Sequence, residues 1–193
     1  MKKYLFPIIT VIICCAVVGT TFAWLMDKTD SITNTFTVGN VDIELAEGAD
    51  LDLKMIPGSS LVKDPHITVK GKSEACWLFV EITESDNFSN FMEYDLAVDD
   101  QNTAIWAELP NYNNVYYCEV AYSESDQVID ILKDNVVTVK GNVTKADMDE
   151  IVATDNNVNA PTLTFTAYAI QKENITSATD AWTKILAAYS ANS

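Results

Sequence analysis

The stretch ACWLFVEIT, residues 75–83, decides the fold. Cys76, Leu78, Val80 and Ile82 fall on one face of an extended chain, and Trp77 and Phe79 add apolar bulk to the other. A strand that is apolar on both faces sits in the middle of a sheet that is covered on both sides. The chain on either side follows the same logic. Residues 115–122, VYYCEVAY, form an aromatic strand, and in residues 162–169 Leu163, Phe165, Ala167 and Ala169 alternate with Thr162, Thr164, Thr166 and Tyr168. β-branched and aromatic residues dominate throughout, as they do in pleated, half-buried surfaces.

Working outward, Ile32, Asn34, Phe36 and Val38 alternate with three threonines. Gly39-Asn40 marks a turn, and Val41, Ile43 and Leu45 alternate with Asp42, Glu44 and Ala46. These are two strands, each with one buried and one wet face. Leu51, Leu53 and Met55 give a short alternation before the Pro57-Gly58 turn, Lys63-Asp64-Pro65 is a break, and Ile67 and Val69 restart a strand. Residues 110–114, PNYNN, form a loop of turn formers. Residues 128–132 lead to a strand at 136–140, and Gly141-Asn142 closes that pair.

Two helices interrupt the strands. Thr144 caps a helix over residues 145–153, with Met148, Ile151 and Val152 on one stripe. Near the C-terminus Ala178, Ala181, Trp182, Ile185, Leu186 and Tyr189 recur at helical spacing behind Ser177 or Thr179 as N-cap. Its Trp182 and Ile185 are expected to dock on the sheet. Many short strands with a turn signal about every ten residues predict a mostly β chain, a jelly-roll-like antiparallel β-sandwich with one short helix and one C-terminal amphipathic helix.

The front end reads as an address. Lys2 and Lys3 precede an uncharged, apolar run, and the run ends in Gly19, Thr20, Thr21, Phe22 and Ala23. A charged start, an apolar core and a small-x-small end mark a secretory signal, cleaved between Ala23 and Trp24. The rival reading is an uncleaved anchor, because the apolar run reaches Met26, about the length a spanning helix needs. Bulky Ile13 disfavours lipidation at Cys14 or Cys15. The expected organisation is a signal over residues 1–23 and one β-sandwich domain over 24–193. Residues 24–38 form its N-terminal segment, flexible and polar up to Ser31. The YSANS terminus carries no wall-sorting motif.

The chain has a net charge of −16, and removal of the two signal lysines leaves −18, with ten Lys, no Arg and one His. Such a surface repels nucleic acid and anionic lipid. Neither is expected as a partner, and membrane contact is expected only through an uncleaved signal. The acids at Asp99-Asp100 and Asp147, Asp149 and Glu150 lack the spacing of an EF-hand loop, so calcium is unsupported and no cofactor or metal is expected. Cys76 and Cys118 are the two cysteines beyond the signal. Export permits a disulfide between them, and each serves equally well as a small buried hydrophobe.

No catalytic constellation appears. His66 is the only histidine, it follows a Pro in a loop, and there is no HExxH. No GxSxG elbow or phosphate loop is present. Glu74, Glu81 and Glu119 lie on apolar strands, where outward-facing positions explain them more simply than glycoside chemistry does. Trp106, Tyr112, Tyr116 and Tyr117 suit either a binding surface or the core. Asn87, Asn142 and Asn174 match N-x-S/T sequons.

Several pieces in order resemble the exported proteins processed by SipW-type signal peptidases, the TasA and camelysin-like family of Gram-positive bacteria. They are Thr21-Phe22-Ala23, Trp24, Leu25-Met26-Asp27, residues 34–39 (NTFTVG), residues 41–45 (VDIEL), Met55-Ile56-Pro57-Gly58, Lys63-Asp64-Pro65, Ser73-Glu74-Ala75, and residues 163–171 (LTFTAYAIQ). The resemblance implies a jelly roll and an extracellular matrix or surface protein, in some members a biofilm-fibre subunit. It also implies strand donation between copies, with Ile32, Phe36 and Val38 as the buried face of the donated strand. The partners would be further copies, related matrix proteins, and the signal peptidase during export. Camelysin-like relatives have been described as metallopeptidases; the single His and missing HExxH argue against enzyme activity here. Two alternatives stay open: a monomeric secreted binding module, and an extracellular hydrolase. The same N-terminal strand also suits pairing within its own subunit.

Overall fold

The computed structural model describes residues 26–29, 41–48, 55–152 and 160–191. The central strand is β5, Cys76–Glu84. It pairs antiparallel with β11, Leu163–Gln171, over nine residue pairs, and with β8, Val115–Val120, on its other side. With β1, Met26–Thr29, and β7, Ala107–Glu108, the order is β1-β11-β5-β8-β7.

Two smaller antiparallel sheets cover one face of this large one. One has the order β2-β4-β9, from β2, Ile43–Glu47, β4, Pro65–Val69, and β9, Gln127–Asp130. The other has the order β3-β10-β6, from β3, Ser60–Val62, β10, Val136–Val139, and β6, Met92–Glu93. Cys76, Leu78, Val80, Ile82, Phe165, Ala167 and Ala169 meet Ile43, Ile67, Val69, Val137 and Val139 in one buried cluster. The chain is thus mostly β, with sheets packed face to face.

The opposite face of the large sheet is closed by a helix. The helices are α1, Phe88–Phe91, α2, Lys145–Val152, and α3, Ala178–Ser190. Ala178, Ala181, Trp182 and Ile185 of α3 are buried against Trp77, Phe79, Tyr168 and Ile170. Trp182 lies in ring contact with Phe79 at 5.2 Å and Tyr168 at 5.0 Å. This explains why residues 75–83 are apolar on both faces: a second sheet layer lies on one side and a helix on the other.

Local chemistry sets the ends of these elements. Ser177 caps α3 by accepting from the Asp180 amide at 3.2 Å. Thr144 Oγ1 accepts from the Asp147 amide, and Asp147 accepts from the Thr144 amide and hydroxyl, a reciprocal cap at the start of α2. These bonds hold the Asp147 carboxyl below its ordinary range. In the PNYNN loop Asn111 and Asn114 adopt positive φ, which asparagine tolerates. At Gly71 a Cβ would stand 2.5 Å from the Glu124 carbonyl oxygen, so only glycine fits that approach.

The structure departs from the sequence reading in five places. Met26–Thr29 is a strand, not part of a flexible polar segment: its backbone finds partners along β11. Residues 128–132 and 136–140 do not pair, because β9 joins β4 and β10 joins β3 and β6. Ser60–Val62 and Phe88–Phe91 are short elements with no periodic signal. His66 lies within strand β4, half-buried, rather than in a loop. Val41–Leu45 is matched by β2, while the alternation at Ile32, Phe36 and Val38 lies outside the described residues.

Candidate functional site

Strand β11 offers nine residues, and its sequence buries side chains on both faces: Phe165, Ala167 and Ala169 inward, Tyr168 and Ile170 outward. One edge is fully paired with β5. The other meets β1, whose four residues pair Met26 with Ile170, Asp27 with Ala169, Lys28 with Tyr168 and Thr29 with Ala167. Among the described residues no strand pairs this edge along Leu163–Thr166. A strand edge with unpaired N–H and C=O groups is a template for another strand.

A recess of about 240 Å³ lies beside that stretch of edge. Leu163 and Phe165 form one wall, and Leu45, Ala46 and Pro65 of the neighbouring sheet form the other. Lys63 and Glu47 stand at its rim, 2.7 Å apart, and the Lys63 ammonium lies 5.6 Å from the Phe165 ring centroid. The recess is apolar at its base and charged at its rim, a shape that takes one apolar side chain of an added strand.

The other residues singled out from the sequence are placed as follows. Ala23, Trp24, Ile32, Phe36 and Val38 lie outside the described residues. Cys76 and Cys118 are both free thiols. They face the same cluster on adjacent strands, but Cys76 stands opposite Val120 and Cys118 opposite Leu78. Burial pushes both thiols up to about 12, so neither is a ready thiolate.

His66 Nδ1 lies 3.2 Å from the Asp64 carbonyl oxygen and 3.6 Å from its carboxylate. Among the described residues no group of three or more His, Cys, Asp or Glu is arranged to hold a metal ion. Asp99 accepts from the Gln101 and Thr103 amides, and Asp149 pairs with Lys145. The glutamates on the apolar strands have local partners: Glu81 accepts from the Tyr168 hydroxyl at 3.0 Å, and Glu119 pairs with Lys172, which also lies over the Trp77 ring. Trp106 is buried and donates to the Asp130 carbonyl at 2.8 Å. Tyr116 packs on the inter-sheet cluster, and Tyr112 and Tyr117 on the helix-side cluster.

The neighbours of β11 were not readable from the sequence. Residues 163–171 identify a strand, but which strands flank it depends on where residues distant in the chain pair. No family model matches the chain, and no curated protein or solved structure does so either.

Proposed function

We propose that this chain is an exported surface or matrix subunit that joins copies of itself by adding an N-terminal strand of one copy to the β11 edge of the next. The observation that carries the reading is the mismatch between β11 and its cover. Among the described residues, a nine-residue strand, apolar on both faces, is met on this edge by four residues, MDKT, of which three are polar. A strand arriving from another copy is free to choose the register that sets an apolar side chain in the recess at Leu163 and Phe165. Backbone hydrogen bonds then supply affinity and the recess supplies register, as in other strand-addition complexes.

In this reading residues 1–23 are the export signal, and their removal at Ala23 frees the donated strand. The test is solution assembly. The protein lacking residues 1–23 is concentrated across a range of pH and followed by light scattering and electron microscopy. Fibres that disappear with Phe36→Asp, in a protein that keeps its circular dichroism, support the reading. A protein that stays monomeric throughout overturns it.

A further inference from the structure

A second recess, at the other side of the start of β11, has a different chemistry. It is a cleft of about 710 Å³ between the turn that leads into α1, the turn before α2, one face of α2 and the start of β11. That size lies within the roughly 300–1,000 Å³ of small-ligand sites. Its wall carries Asp86, Asn90, Asn142 and Thr162, and the Phe91 ring lines it from the core side. Asn90 and Asn142 are exposed and form no side-chain hydrogen bond with any other described residue, and the same holds for the Asp86 carboxylate. Asp147 is already committed to the cap of α2. Ser85 is also engaged: it donates to Asn87 at 2.7 Å and accepts from the Thr162 amide at 2.9 Å.

The chemistry narrows the ligand. An anion would meet Asp86 and Asp147 with no cation in the wall. A metal ion would find no set of three ligating side chains among the described residues. Two primary amides with no side-chain partner among the described residues each offer two donors and an acceptor, and the carboxylate offers acceptors only. Together they match vicinal hydroxyl groups, which donate and accept at once. The Phe91 ring supplies an apolar face for the C–H side of a pyranose. From this geometry we infer that the cleft is a binding site for a neutral saccharide, with Asn90 and Asn142 as the direction-setting contacts and Phe91 as the stacking surface. This inference does not depend on the assembly reading, since the cleft involves neither β1 nor the β11 edge recess.

The test is NMR titration of the isotope-labelled full chain, held in a detergent without a sugar headgroup, with N,N′-diacetylchitobiose, cellobiose and maltose. Saturable shifts of the Asn90 and Asn142 side-chain amides are expected, with a dissociation constant on the order of millimolar for such an open cleft. Asn90→Ala and Asn142→Ala are each expected to weaken binding by about tenfold, the worth of one good hydrogen bond. Both residues are exposed, so the variants are expected to keep the backbone spectrum of the parent. The inference is overturned if none of the three sugars gives saturable shifts, if the double variant binds as well as the parent, or if calcium chloride alone reproduces the same shifts.

Discussion

Replacing Trp182 measures what α3 contributes to the fold. Its side chain is 2% exposed and meets three rings, Tyr168 at 5.0 Å, Phe79 at 5.2 Å and Tyr112 at 6.2 Å. Truncating a buried aromatic to alanine costs about 3–5 kcal/mol, because transfer energy is lost and a cavity remains. The ring pairs add roughly 0.5–1.5 kcal/mol each beyond area, which places Trp182→Ala near the top of that range. The indole Nε1 is buried and has no hydrogen-bond partner among the described residues. An unsatisfied buried donor costs about 1–3 kcal/mol, so Trp182→Phe removes that penalty along with part of the ring volume. The two effects oppose each other, and Trp182→Phe is expected to fall within about 1–2 kcal/mol of the parent. Urea unfolding followed by circular dichroism reads both variants, with the slope compared to confirm that the same surface unfolds. A Trp182→Ala loss below about 1 kcal/mol would refute the docking of α3 as a structural layer. A Trp182→Phe loss as large as that of alanine would refute the cost assigned to the indole N–H.

Three further outcomes follow from local geometry. Gly71→Ala forces a methyl group against the Glu124 carbonyl at 2.5 Å and is expected to destabilise by about 1–3 kcal/mol, read as a lower urea midpoint. Ser177→Ala removes the cap on α3 and is expected to cost about 1 kcal/mol, with Ser177→Asp restoring most of it in the same assay. Desolvation raises the thiols of buried Cys76 and half-buried Cys118 from 9.0 to about 12. Below pH 9 both folded and unfolded thiols hold their protons, so stability is unaffected. Between about 9 and 12 the unfolded chain releases protons that the folded chain retains, so stability falls as pH rises. Cys76→Ala and Cys118→Ala together should flatten that alkaline limb. In the parent at pH 8, a thiol reagent should label Cys76 only once urea unfolds the protein.

Periodicity and capping chemistry are local, and what they specify was legible in the chain itself. The double-faced apolar run at 75–83 required a covered central strand, and β5 is that strand, buried from Cys76 through Val80. The helical spacing picked out Ala178, Ala181, Trp182 and Ile185, which are buried, but also Leu186, which is exposed; of the two caps it offered, Ser177 or Thr179, the structure uses Ser177. Pairing is not local, and only the tertiary structure decided it. Whether β9 meets β10 or β4, whether Cys76 stands opposite Cys118 or Val120, and that β1 lies beside β11 all depend on register between residues far apart in sequence. Each strand's alternation is compatible with several neighbours; burial of one common core selects among them. The polar tetrad MDKT carries no strand signal at all, because its pairing with β11 rests on backbone groups that every sequence has.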